Sequence, residues 1–150
     1  MTHSLSKLYV HIIFHVKTGS VLIRPGDENE LYAYIGGIIK DNASFPIKIN
    51  GTENHVHVLS TMSKNISLAD FVEEIKKNSS RWIKTKGKYY ECFAWQSGYA
   101  GYSVSQTKVA VLKRYIEQQK QHHQSVSVRD EYLQFLREYS VDFDGNYLWT

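Results

Sequence analysis

The sequence predicts an α+β fold, a small antiparallel sheet laid down in the order β-α-β-β-α-β with two more helices appended. Two observations predict it. Short runs rich in β-branched and aromatic residues alternate with segments whose apolar residues recur at helical spacing, and turn residues separate the two kinds of segment. The chain has 150 residues, 42% of them hydrophobic, which suffices for one domain with a buried core.

Residues 8–16 read as the first strand, with His11 and His15 as its polar members. Arg24-Pro25-Gly26 makes a turn, and Asp27 is placed to cap the helix that follows. That helix sets Leu31, Tyr34, Ile35, Ile38 and Ile39 on one stripe. Residues 46–50 form the second strand, Asn50-Gly51 starts a hairpin connection, and residues 55–61 form the third strand. Ser67 caps a second helix that turns Leu68, Phe71, Val72, Ile75 and Trp82 inward. Residues 90–96 are expected to be the fourth strand, followed by a glycine-bearing loop at 98–101. Helices at 105 to about 123 and 128 to about 139 complete the chain. Four antiparallel strands with two helices on one face make the ferredoxin-like arrangement, whose first and third strands are central neighbours. No repeat, low-complexity segment or long linker interrupts residues 1–150, so a single domain is expected.

Composition narrows the class. No apolar run approaches the ~20 residues of a membrane span, and the polar residues 1–7 do not read as a signal peptide. Cys92 is the only cysteine, which excludes an internal disulfide and fits a reducing, cytoplasmic setting. Net charge is only +3, so affinity for nucleic acid has to come from local clustering. Such a cluster runs through Lys76, Lys77, Arg81, Lys84, Lys86 and Lys88 with no acid among them, and Tyr89, Tyr90, Phe93 and Trp95 follow. Cations beside aromatic rings suit a single strand, tracking phosphates and stacking on bases. A solvated helix end beside core aromatics fits the same pattern. Lys77, Arg81 and Lys84 share a helix face, with Lys76 turned about 100° from it.

Asn54-His55-Val56-His57-Val58 is the most informative stretch. On a strand His55 and His57 project to one side and the valines to the other. Imidazoles about 7 Å apart along a strand face suit one divalent ion; a half-exposed polar face has the same spacing. On the first appended helix Val109, Leu112 and Ile116 form an apolar stripe, and Tyr115 and Gln119, at i and i+4, border it. Such a tyrosine is commonly just a core-edge residue. A phenol paired with an amide also fits metal-assisted phosphoryl transfer, with the phenol as nucleophile and the amide oxygen joining two imidazoles on a cation.

The chain resembles the single-tyrosine HUH transposases, small enzymes that move simple insertion sequences as single-stranded DNA. The resemblance spans nearly the whole length. It comprises Tyr9-Val10-His11-Ile12-Ile13-Phe14, Asn50-Gly51, the His55-Val56-His57 pair, the 75–83 and 93–99 segments, Tyr115-Ile116-Glu117-Gln118-Gln119, and His122-His123. It implies His55, His57 and Gln119 as metal ligands and Tyr115 as nucleophile, with Mg2+ or Mn2+ as cofactor. Asn54 stands where the family commonly has aspartate, and Ala100-Gly101 reverses the usual order of those two residues. The implied reaction is attack by Tyr115 on a phosphodiester of single-stranded DNA, giving a 5′-phosphotyrosine and a free 3′-hydroxyl. A second 3′-hydroxyl then rejoins the strands without ATP. One tyrosine holds one DNA end, so a homodimer on hairpin-bearing element ends is expected. His11, His15, His122 and His123 are read as strand-face and helix-end residues rather than ligands, the last two suiting the helix dipole. The Lys76, Lys77, Arg81 and Lys84 cluster is the expected DNA contact. Other functions compatible with the same features are a single-strand or RNA-binding module, a nickase of the replication-initiator or relaxase type, and an inactive or domesticated relative.

Overall fold

A computed structural model describes residues 4–149. Its four strands, β1 (Tyr9–His15), β2 (Pro46–Thr52), β3 (His55–Thr61) and β4 (Ala100–Ser103), form one antiparallel sheet in the order β2-β3-β1-β4. This is the ferredoxin-like order, with β1 and β3 paired at the centre.

Strand alternation sorts the side chains. Ile12 and Phe14 of β1 and Val56 and Val58 of β3 face helices α1 (Glu28–Asp41) and α2 (Leu68–Lys84). There they pack with Leu31, Ile35, Ile39, Phe71, Val72 and Ile75 in the main core. Ser67 caps α2 by accepting a hydrogen bond from the Asp70 N–H at 3.0 Å. The alternate residues, His11, Ile13 and His15 on β1 and His55, His57 and Leu59 on β3, occupy the other face. Ile13 lies opposite His57, and His15 opposite His55. Helices α3 (Val109–Glu117), α4 (Gln119–His122) and α5 (Val128–Glu138) cover this second face. Ile116 packs on Leu59 and Val104, while Tyr132 and Leu136 pack on Ile13, Ala100 and Tyr102.

Four expectations need correction. The fourth strand is not 90–96 but Ala100–Ser103, paired with β1. Tyr90, Phe93 and Trp95 are buried in the main core, yet their backbone is a 3-10 turn and loop with a lone bridge from Trp95 to Val16. Aromatic content there signals burial, not pairing. Asp27 makes no side-chain cap; its carboxylate instead accepts from the Tyr90 hydroxyl at 2.5 Å and from Arg24 Nε at 3.3 Å. The hairpin turns at Glu53-Asn54, and Gly51 lies within β2. A Cβ on Gly51 would stand 2.0 Å from the His55 carbonyl oxygen, so the glycine serves close backbone approach. Finally, the helix expected from 105 is broken at Gln118. Asn50 Nδ2 donates to the carbonyls of Ile116 and Glu117 at 2.9 and 3.3 Å, which fastens the end of α3 to β2.

Candidate active site and metal centre

The site is built from β3 upward. His55 and His57 are wholly buried, side by side on one strand face. Each ring is held through Nδ1. His55 Nδ1 lies 2.9 Å from Thr52 Oγ1 and 3.1 Å from Asn54 Oδ1, and His57 Nδ1 lies 2.8 Å from His11 Nε2. Asn54, in place of an acid, thus still orients His55. The two Nε2 atoms point toward the covering helices. His55 Nε2 is 2.9 Å from Gln119 Oε1, and His57 Nε2 is 2.8 Å from Glu131 Oε1.

Glu131 is the hub. It sits in the first turn of α5, whose start is capped by Ser127, and only 2% of it is exposed. Its Oε1 faces His57, His55 at 3.5 Å and His123 at 3.2 Å. Its Oε2 accepts from Gln119 Nε2 at 3.1 Å and from the Tyr115 hydroxyl. That hydroxyl also lies 3.2 Å from His122 Nε2. His55, His57, His123 and Glu131 present donor atoms within 4.8 Å of one another, a cluster able to bind a metal ion. His123 was expected only to end a helix; instead its ring joins this cluster.

Burial and charge set the protonation states. Burial lowers His57 to about 4 against the pull of Glu131, and lowers His15 to about 3 despite its bond to Gln96. His11 is likewise held well below its ordinary value, by burial and then by His57. Burial raises the Glu131 carboxyl, but its close contacts with the His55 and His57 imidazoles outweigh that, so the group stays ionised. Burial and then the Glu131 carboxylate push the Tyr115 phenol well above its usual range, so it rests protonated. His122 is lowered, chiefly by burial, and so is held neutral. Two clefts of about 460 Å³ each flank the cluster. One, between α3 and α5, exposes Tyr115 and His122 beside Phe135 and Tyr139; the other reaches His123 beside Asn54 and Lys120.

Tyr115, Gln119, His55 and His57 therefore meet in one place. The basic run does not join them. Lys77, Arg81 and Lys84 are exposed on α2, across the sheet from Tyr115. Lys76 Nζ donates to the carbonyls of Gln96, Ser97 and Gly98 at 2.5, 3.3 and 2.9 Å. Its charge fastens that loop. Sequence reasoning missed His123 and Glu131. The signal for Glu131 was available, since it shares the inward stripe of α5 with Tyr132, Phe135 and Leu136, where an acid requires partners.

A ferredoxin-like sheet thus carries the His-Val-His strand beneath a helix-borne tyrosine. Residues 4–119 match the family model described as IS200-like transposase, and the chain belongs to that family. Among solved structures it is similar to a protein assigned as a transposase from Deinococcus radiodurans R1, with 22% identity and a TM-score of 0.61, over 79% of this chain and 95% of that one. It is also similar to a REP-associated tyrosine transposase bound to a REP hairpin, with 13% identity and a TM-score of 0.60, over 84% of this chain and 74% of that one. Among proteins of curated function none matches. No helix among the described residues is long and apolar enough to cross a membrane.

Proposed function

We propose that this protein cleaves and rejoins single-stranded DNA through a covalent 5′-phosphotyrosine on Tyr115. The observation that carries the reading is the position of the Tyr115 hydroxyl on the same carboxylate that His57 contacts, at the mouth of a cleft large enough for a nucleotide. A new Tyr115 Oη–P bond forms as the P–O3′ bond breaks, and the departing 3′-oxygen takes a proton from water to become a hydroxyl. The phenol's proton is directed at the Glu131 carboxylate, and neutral, partly exposed His122 Nε2 lies 3.2 Å away as a second acceptor. Glu131 holds the phenol's direction. A divalent ion, Mg2+ or Mn2+, held by His55, His57 and Gln119 would supply neutralisation of the scissile phosphate. The donor set fits such an ion, since imidazole nitrogens and an amide oxygen converge there.

Lys77, Arg81 and Lys84 lie across the sheet from the nucleophile, so in this reading they hold a flanking part of the DNA, such as a hairpin stem. A homodimer supplies the second tyrosine that an element with two ends requires. The test is Tyr115→Phe with a labelled, hairpin-bearing single strand. The covalent adduct on a denaturing gel should vanish while binding and folding persist, with stability changed by no more than about 1 kcal/mol. An adduct that survives names another nucleophile. Adduct formation followed by transfer to a second DNA end separates a transposase from a binding module or a simple nickase.

A further inference from the structure

We infer that α5 completes the metal centre. In this inference His123 Nε2 and Glu131 Oε1 join His55, His57 and Gln119 as ligands, and the site takes a borderline divalent ion of the Mn2+-to-Zn2+ series rather than Mg2+. The inference rests on the proposed reading of His55 and His57 as ligands and adds the residues that decide which ion they hold.

Counting protons leads there. The Val126 carbonyl can only accept, and His123 Nδ1 lies 2.6 Å from it, so that nitrogen carries the ring's hydrogen and Nε2 a lone pair. Thr52 donates its own proton to Asn54 Oδ1 at 2.9 Å. The two oxygens beside His55 Nδ1 therefore both accept, and His55 Nε2 is also a lone pair. Gln119 directs its NH2 at Glu131 Oε2, which turns its Oε1 toward the imidazoles. Four acceptors thus meet without a proton between them. His55 Nε2 is 2.9 Å from Gln119 Oε1 and 3.5 Å from Glu131 Oε1, and His123 Nε2 is 3.0 and 3.2 Å from the same two oxygens. His57 Nε2, its other nitrogen bonded to His11, points at the same carboxylate oxygen.

Lone pairs converging in a buried site demand a positive centre. Three imidazolium ions packed this closely would repel one another. One divalent cation satisfies every group at once, and the Nδ1 contacts are the outer hydrogen bonds that orient metal-binding histidines. Three imidazoles with a carboxylate disfavour Mg2+, which prefers oxygen ligands and retains its waters. Because Glu131 Oε2 also holds the Tyr115 hydroxyl, one carboxylate links the ion, α5 and the nucleophile. Both added ligands lie beyond the residues 4–119 that match the family model.

The test uses the full chain, stripped of metal and free of DNA. Co2+ is titrated by its visible absorption and Mn2+ by electron paramagnetic resonance, with Mg2+ as competitor. Both ions should bind at one site and resist displacement by a large excess of Mg2+. Glu131→Gln, nearly isosteric, and His123→Asn should each weaken Co2+ by about tenfold or more and shift its absorption band. Circular dichroism on each variant checks that it is folded. Wild-type Co2+ affinity and spectrum in both folded variants would overturn the inference, as would ready displacement by Mg2+. Adduct formation that rises in Glu131→Gln with unchanged Co2+ binding would also overturn it, since the carboxylate would then be obstructing the site. Co2+ binding as expected, with no DNA adduct in wild type, would count against the transferase reading and leave this one standing.

Discussion

The two faces of the central sheet are buried to the same degree and do different work. Toward α1 and α2, β1 and β3 present Ile12, Phe14, Val56 and Val58, all at 0% exposure, and packing alone satisfies them. One residue along the same strands, His11, His15, His55 and His57 face α3–α5 at 0–6% exposure. There the ring nitrogens reach Gln96, Thr52, Asn54, Gln119, Glu131 and one another, while His11 Nδ1 and His15 Nε2 make no hydrogen bond among the described residues. Burial therefore does not mark the functional face. The chemistry of what is buried distinguishes the faces, and the alternation of a strand lets two strands supply a core and a polar cluster at once.

Disabling one face at a time sharpens that contrast. The largest effect should come from His57→Ala, which eliminates cleavage of a labelled single strand even at saturating DNA; excess chelator should do the same to the wild-type protein. Full activity in either case would break the assignment of chemistry to this face. On the helical face, Phe71→Ala should cost about 3–5 kcal/mol in a urea titration, while Co2+ binding by the molecules that remain folded stays unchanged. A weakened metal site in that variant would show that the faces are coupled.

Acid should act first through the histidine face, before it reaches the Asp27 carboxylate that the Tyr90 hydroxyl and Arg24 hold below its ordinary value. His57 at about 4 and His15 at about 3 are held below the ordinary 6.5 by burial. In the unfolded chain they bind protons from about pH 6.5 downward, which the native state refuses. The unfolded state then carries more protons, so stability falls as pH falls and recovers as pH rises to neutrality. The window runs from about 6.5 to about 4 for His57 and on to about 3 for His15. The slope should reach about 1.4 kcal/mol per pH unit for each histidine. Glu131 adds to the same trend from the ordinary carboxyl range downward. Urea midpoints of the metal-free protein at pH 7.5 and 5.5 measure it, and equal midpoints would refute it. The smallest effect belongs to the outer surface of α2. Neutralising Lys77, Arg81 and Lys84 together should flatten the salt dependence of single-strand binding by roughly 0.7 log unit per lost phosphate contact. An unchanged slope in fluorescence anisotropy would assign these residues to a merely solvated helix face.

Local pattern made much of this legible. The strand at 55–61, the two amphipathic helices, the Ser67 cap and the placement of His55 and His57 on one face all follow from periodicity and capping. What failed was non-local. Tyr90, Phe93 and Trp95 have strand-like composition, but the Ser79 hydroxyl and the Asp27 carboxylate engage Trp95 and Tyr90 from other elements and hold a loop. The break at Gln118 depends on Asn50, far away in sequence. His123 and Glu131 reach the site only because α5 folds back across the sheet, a return that no spacing encodes. Lys76 reads as one cation among several, until three loop carbonyls are found around its amine.

The most direct test of the central claim is to map the covalent product. The protein is incubated with a hairpin-bearing single strand and Mn2+, then digested with trypsin and nuclease and analysed by mass spectrometry. The account predicts a nucleotide linked through its 5′-phosphate to the peptide running from Tyr115 to Lys120, and no such species from His57→Ala. A nucleotide on any other peptide, or the same adduct undiminished in His57→Ala, would contradict it.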